Sequence, residues 1–274
     1  MIVYVPDGTE EKSALARTKK LCVAAHQDDI ELMALSVIGE CRETGEPFSG
    51  VVVTDGASSP RTGRFAGVTD EEMVKLRIEE QKRAAEFGNY SALALLGYTS
   101  AEAKRDARDA VEGDIARLIL DASPEEIYTH NPADRHATHV AVFCRTVAAI
   151  RSLPPGKRPK KLWGCEVWRS LDWLPDGVRT VVDSEKGTSL APAMLNLFES
   201  QVEGGKRYDE AYIGRQHANA TFSESHACDE HVCASNMLDM TVLVTDDRLS
   251  VTDFITDVID LFRRETAAKL KELV

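Results

Sequence analysis

Residues 20–32 read KLCVAAHQDDIEL, and the change of character inside this stretch decides the fold. Lys20–Ala25 is an apolar run of strand length, while Glu31–Arg42 carries a helical pattern. At the junction stand His26, Gln27, Asp28 and Asp29. Adjacent carboxylates repel one another unless positive charge lies between or beside them. The junction can therefore be a metal site, a catalytic pair, or a polar turn that caps a helix.

Working outward, the same alternation recurs. Gly50–Thr54, Ala92–Leu96 and Glu126–Thr129 read as strands, and Asp70–Phe87, Val111–Leu120 and Ala133–Arg151 read as helices. In the 70–87 helix, Met73, Leu76, Gln81, Ala84 and Phe87 share a face, Arg77 and Glu80 flank it, and Gly88 stops it. Strands alternating with helices through short links predict an α/β fold, a Rossmann-like, mostly parallel sheet with helices on both faces. Ligands of such sheets bind beyond the carboxyl ends of the strands, where His26 and the acidic pair lie.

The pattern changes after residue 152. LPPGKRPKK (153–161) reads as a turn or linker, and KLWGCEVWRSLDWL (161–174) as a strand running into a loop. Helices follow at Leu190–Glu199 and Tyr208–Gln216, then a strand at Met240–Thr245 and an amphipathic helix at Thr252–Leu273. We read one domain, with a metal-site core at 1–152 and a C-terminal elaboration at 153–274 packed on it.

Composition narrows the classes. With 43% hydrophobic and 28% charged residues, the chain is that of a globular protein with a sizeable core. A net charge of −12 argues against a nucleic-acid partner, which needs basic patches. No signal peptide and no apolar stretch approaching ~18 residues is visible, so there is no membrane segment and a reducing cytoplasm is the expected location. Cys22 and Cys165 lie in apolar strands and read as small buried hydrophobes, not a disulfide framework. An acidic surface leaves a homo-oligomer open and does not set the subunit count.

A catalytic zinc site needs three protein ligands and an open position. His26 and Asp29, three apart across a strand-to-helix turn, can point at one atom. A third ligand must also come from a strand end, and YTHNPADRHATHVAVF (128–143) offers one. Here Asn131 reads as an N-cap with Pro132 at the first helical position, which makes His136 and His139 neighbours at i and i+3. One of the two can complete the site while the other stays free for chemistry.

With these residues in view, the chain resembles the PIG-L/LmbE-like family of zinc-dependent de-N-acetylases. The family's A-H-P-D-D is matched by Ala25-His26-Gln27-Asp28-Asp29, and its D-x-H-x-x-H by Asp134-Arg135-His136-Ala137-Thr138-His139. Thr54-Asp55-Gly56 resembles its T-x-G, and Arg77-Ile78-Glu79-Glu80 its R-x-x-E. The resemblance implies that His26, Asp29 and His139 bind zinc or another divalent metal, and that Asp28 is the general base. It implies that His136 stabilises the oxyanion or protonates the leaving amine, with Asp134 orienting it. Arg77 and Asp55 would contact a small N-acylated substrate, an amino sugar of the N-acetylglucosamine type or its conjugate; Arg77 equally suits a helix-surface ion pair with Glu80 or Asp70.

Three features depart from the family pattern. Gln27 replaces its proline, ELMALS (31–36) stands where glycines follow the acidic pair, and GYTSAEAK (97–104) lacks the usual aspartate-glycine. The last change falls where relatives line the substrate pocket. Two other readings compete: a non-hydrolytic sugar- or ligand-binding protein of the same fold, and an amidase acting on a non-sugar N-acyl substrate. In HACDEHVC (226–233), His226, Cys228, His231 and Cys233 are potential ligands, but their spacing is not that of a zinc ribbon and they read as incidental loop residues. His217 reads as pocket-lining or helix-ending. Trp163, Trp168 and Trp173 read as core or interface residues in preference to sugar-stacking ones.

Overall fold

Strand β2 (Lys20–Ala24) is buried on both faces, which is why its sequence is continuously apolar. Leu21 and Val23 enter one core layer while Cys22 and Ala24 enter the other, following the two-residue period of a strand. The computed structural model describes all 274 residues. Around β2 the first half adds β1 (Ile2–Tyr4), α1 (Glu11–Ala16), α2 (Asp29–Thr44), β3 (Phe48–Thr54), α3 (Asp70–Gly88) and β4 (Ala92–Tyr98). Then come α4 (Arg108–Ala122), β5 (Glu126–His130) and α5 (Ala137–Ser152). The second half supplies β6 (Lys161–Cys165), β7 (Arg179–Asp183), α6 (Glu185–Leu195), α7 (Glu199–Val202) and α8 (Tyr208–Thr221). It ends with β8 (Ala234–Asp239), α9 (Val242–Thr245) and α10 (Val251–Leu273).

All eight strands join one sheet in the order β1-β4-β3-β2-β5-β6-β8-β7. The centre, from β4 through β6, is parallel, and β1, β7 and β8 pair antiparallel at the two edges. The fold is thus the Rossmann-like α/β sheet expected, with helices on both faces. One layer packs residues of α1, α4, α5 and α10 against the sheet, and the other packs α2, α3, α6 and α8. From β2 the chain builds outward to β3 and β4, then crosses back to place β5 on the other side of β2. The crevice at the carboxyl ends of β2 and β5 is therefore the topological switch point.

Several elements differ from expectation. Met240–Thr245 is not a strand: β8 occupies 234–239, and 242–245 is one helical turn. Met240, Leu243 and Val244 all enter the core, which is i, i+3, i+4 spacing, and the polar Ser235 and Asn236 inside β8 hid the true strand. β1 and α1, of three and six residues, are too short for a periodicity signal. The expected helix 190–199 is two helices, α6 and α7. Helix α3 begins with a Thr69–Glu72 capping box and ends at Asn89 in the left-handed conformation, one residue beyond the expected stop. Its inward stripe includes Arg77 and Glu80, so the reading of Arg77 as a surface ion-pair partner is wrong.

Candidate active site

The turn after β2 is built around Asp28, whose backbone is left-handed with φ of 82°, a conformation few residues besides Gly, Asn and Asp adopt. Asp28 occupies the N-cap position of α2 but makes no side-chain cap bond. Its carboxylate instead accepts a hydrogen bond at 3.2 Å from the buried guanidinium of Arg77, which also donates to the carbonyl of Gln27. The Asp28 N–H donates to Gln81 at 3.0 Å, and Gln81 in turn donates to buried Glu31 at 2.8 Å. Gln27 is buried too, and its amide donates to the Thr54 carbonyl at the end of β3. The side chain that replaces the family's proline thus ties the β2 turn to β3. Gly56 permits this approach, having φ of 74° and a Cα so close that a Cβ there would lie 2.4 Å from Gln27 Oε1.

Asp29 turns the other way. Its Oδ2 accepts the His26 N–H at 2.8 Å and lies 3.0 Å from His26 Nδ1 and 3.2 Å from His139 Nε2. The third edge, His26 Nδ1 to His139 Nε2, is 3.2 Å. Donor atoms held about 2.0–2.1 Å from one tetrahedral ion stand roughly 3.3 Å apart, so this triangle of two imidazoles and a carboxylate fits a single divalent metal. Asp134 Oδ1 lies 3.4 Å from His139 Nδ1, the carboxylate-behind-histidine arrangement that fixes a ligand ring.

The helical reading of DRHATH needs correction. Asn131 is not the N-cap of α5; it caps a turn by accepting the Ala133 N–H and anchors to the Cys165 carbonyl. His136 is the N-cap, its Nδ1 accepting from the Thr138 N–H at 3.3 Å, and Ala137 starts the helix. The proton of a neutral His136 therefore resides on Nε2. Asp134 faces His139 and touches His136 only through its backbone N–H, so it orients the other histidine from the one expected.

His130, at the end of β5, escaped the sequence reading. It is fully buried, stacks on His139 with ring centroids 3.9 Å apart, and its Nε2 accepts the Ala25 N–H at 2.9 Å. That bond uses the lone pair facing the cluster, so His130 joins the ends of β2 and β5 without completing the donor triangle. Its position as the last residue of a strand flanking the switch point was the available signal.

Electrostatics separate the two acids. Burial pushes Asp28 up to about 7, against the pull of Arg77 and with the push of Asp29. Burial also disfavours charge on Asp29, but His139 and His26 overcome it and hold that carboxyl well below the usual range. His136 is lowered to about 4 by burial and by His139 and His26, which leaves it neutral at pH 7.

These groups form the floor of a 320 Å³ cleft. Asp55, Gly56, Ser58, Ser59, Pro60 and Ser100 reach it from the ends of β3 and β4. Trp168, Gln201, Lys206 and Tyr208 line it from the second half of the chain. Trp168 is 38% exposed and lies at the cleft, not in the core. Trp173 packs against the core and Phe262, as expected. His217 contacts Val232 and Cys233 away from the cleft. Convergent groups of three or more donor side chains form only at the β2 and β5 ends and leave out His226, Cys228, His231 and Cys233.

Residues 21–150 match the family model described as PIG-L: GlcNAc-PI de-N-acetylase. This part of the chain is similar to the PIG-L family. An Escherichia coli K12 protein described as an uncharacterized deacetylase, YaiS, is 28% identical over 154 residues, covering 55% of this chain and 77% of its own. Among solved structures, the N,N′-diacetylchitobiose deacetylase of Pyrococcus horikoshii aligns with a TM-score of 0.65 at 16% identity, over 86% of this chain and 88% of that one. GalB, the 4-carboxy-2-hydroxymuconate hydratase of Pseudomonas putida KT2440, aligns with 0.61 at 17% identity, over 81% and 96%. The fold is thus shared by deacetylases and a hydratase, whereas both sequence-level matches are to proteins described as deacetylases. The PIG-L match ends at residue 150, so Trp168, Lys206 and Tyr208 belong to the part outside it. No helix is long and apolar enough to cross a membrane.

Proposed function

We propose that this enzyme hydrolyses the N-acyl amide of an acetylated amino sugar or its conjugate, with zinc held by His26, Asp29 and His139. The observation that carries the reading is the donor triangle with 3.0–3.2 Å edges beside a separately anchored carboxylate, Asp28. A bound divalent ion would supply Lewis acidity, polarising the amide carbonyl and acidifying water at neutral pH.

The chain's own residues do the rest. Asp28, held by Arg77 and Gln81 on the cleft floor, takes the proton of the attacking water and passes it to the leaving nitrogen. A raised affinity for protons suits this double role, because the group must both accept and release one near neutrality. His136, neutral with its proton on Nε2, donates a hydrogen bond to the developing oxyanion, and its low proton affinity leaves almost no imidazolium at neutral pH to protonate the amine. Asp55 uses one carboxylate oxygen to accept the Ala57 N–H, which fixes the side chain at the cleft wall for a sugar hydroxyl. Arg77 acts on the substrate through Asp28, since its terminal nitrogens donate to the Asp28 carboxylate and to the Gln27 carbonyl that set the turn.

The test is acetate release from a panel of N-acetyl amino sugars and non-sugar N-acetyl amides by zinc-loaded protein. Turnover of the sugars, lost in Asp28→Asn at unchanged zinc content, is the expected result. Turnover confined to non-sugar amides would replace the sugar reading, and hydration of an unsaturated acid without acetate release would replace hydrolysis altogether.

A further inference from the structure

Two permanent cations line the cleft, and they differ in what they have to do. Arg77 is committed to Asp28 and Gln27. Lys206 pairs with no carboxylate, although its neighbour Arg207 pairs with both Asp209 and Glu210. Its ammonium lies 4.6 Å from the centre of the Trp168 ring, a cation–π contact that holds the charge at the cleft without neutralising it.

The backbone around Lys206 is built for this placement. The Lys206 N–H donates to the Gln201 carbonyl at 2.9 Å, and its carbonyl accepts the Tyr208 N–H at 2.7 Å. Gly205 makes the preceding turn with φ of 105°, and a Cβ on Gly204 would collide with the Ser200 carbonyl at 1.9 Å. Arg64, from the loop after β3, bridges Glu199 and Glu203 at 2.6 and 2.7 Å and binds this segment to the loop that carries Ser58 and Ser59. The floor opposes any anion, since Asp28, Asp29 and Asp55 face the same cleft, and burial together with Asp28 and Asp29 pushes the Tyr208 phenol up. A neutral sugar would need no free ammonium in a chain of net charge −12.

We propose that Lys206, set against Trp168, is an anion-binding subsite, and that the acylated amino sugar carries a carboxylate or phosphate group bound there. This rests on the de-N-acylation reading and adds the substrate's charge to it. The ammonium donates to the anionic group while the acyl end reaches the floor. The cleft volume of 320 Å³ is at the small end for ligand sites and suits one sugar ring with a short charged substituent.

The experiment compares three probes on the zinc-loaded full chain: N-acetylglucosamine, N-acetylglucosamine 1-phosphate and N-acetylmuramate. Calorimetric dissociation constants and acetate release are measured separately. At least one charged probe should bind roughly ten-fold or more tightly than the neutral sugar, the scale of a charge-assisted hydrogen bond. The phosphate and carboxylate arms tell which anion is preferred. Lys206→Gln should bring that ratio close to one, and Lys206→Arg should keep most of it. Equal binding of all three probes, or a ratio that survives in Lys206→Gln because the anion sits on the metal, overturns the subsite. Charge-selective binding that depends on Lys206 supports the subsite even without acetate release, which would instead sink the hydrolase reading; acetate release without charge selectivity does the reverse.

Discussion

Replacing Arg77 with Met is the most informative single perturbation, because it separates a positioning residue from a substrate clamp. The change removes a guanidinium that is 2% exposed and leaves the Asp28 carboxylate and the Gln27 carbonyl without their donor. At the observed 3.2 Å, the pair's gross attraction is about 5 kcal/mol for an effective dielectric near 20. Breaking a buried pair on one side costs about 3–5 kcal/mol, so urea unfolding should show a loss of that size. The same attraction favours ionised Asp28, and each pH unit is worth about 1.4 kcal/mol. Without Arg77 the carboxyl rises further above its present value of about 7. The acid limb of kcat/KM for the zinc-loaded enzyme should therefore move up by roughly two to four units, about 3–5 kcal/mol at about 1.4 kcal/mol per unit, and Arg77→Lys should restore part of it. A raised KM with the acid limb in place would refute this account and restore Arg77 as a substrate clamp. A midpoint unchanged from the wild type would refute the energetic argument outright.

Three further outcomes follow from the same geometry. His26→Ala and His139→Ala should each lower bound zinc from one per chain towards none after dialysis, and full retention by elemental analysis would remove that residue from the ligand set. Gly56→Ala forces a side chain onto Gln27 and into a left-handed backbone, so urea unfolding should report a loss of about 1–3 kcal/mol, and an unchanged midpoint would mean the turn relaxes freely. Because burial raises the Asp28 carboxyl, its contribution to metal-free stability is full below pH ~4 and is lost as pH rises through about 7. Stability measured against pH should accordingly fall across that window in wild type relative to Asp28→Asn, and parallel curves would show that Asp28 ionises without cost.

Local sequence determined a good deal of this protein. The apolar run ending in His26-Gln27-Asp28-Asp29 placed a polar cluster at a strand end, and the β–α alternation made that strand part of a parallel sheet, because short range periodicity fixes which faces must be buried. What spacing could not supply was the orientation of side chains against distant partners. Arg77 belongs to a buried stripe instead of an exposed flank because Asp28, 49 residues away, offers it a carboxylate. Gln27 is where a proline is expected because an amide there reaches the Thr54 carbonyl, a bond visible only when β2 and β3 lie side by side. His136 caps a helix one turn later than the Asn131-Pro132 signal suggested, since Asn131 is drawn to Cys165 on the neighbouring strand. The three-donor triangle joins His26 to His139 across 113 residues, and the wall of Trp168, Lys206 and Tyr208 comes from stretches whose residues have no role at the site by sequence, although 204–226 resembles a branch of the family. The sequence thus named the chemistry at the strand ends, while the tertiary fold decided which charges are satisfied by protein and which remain free for a ligand.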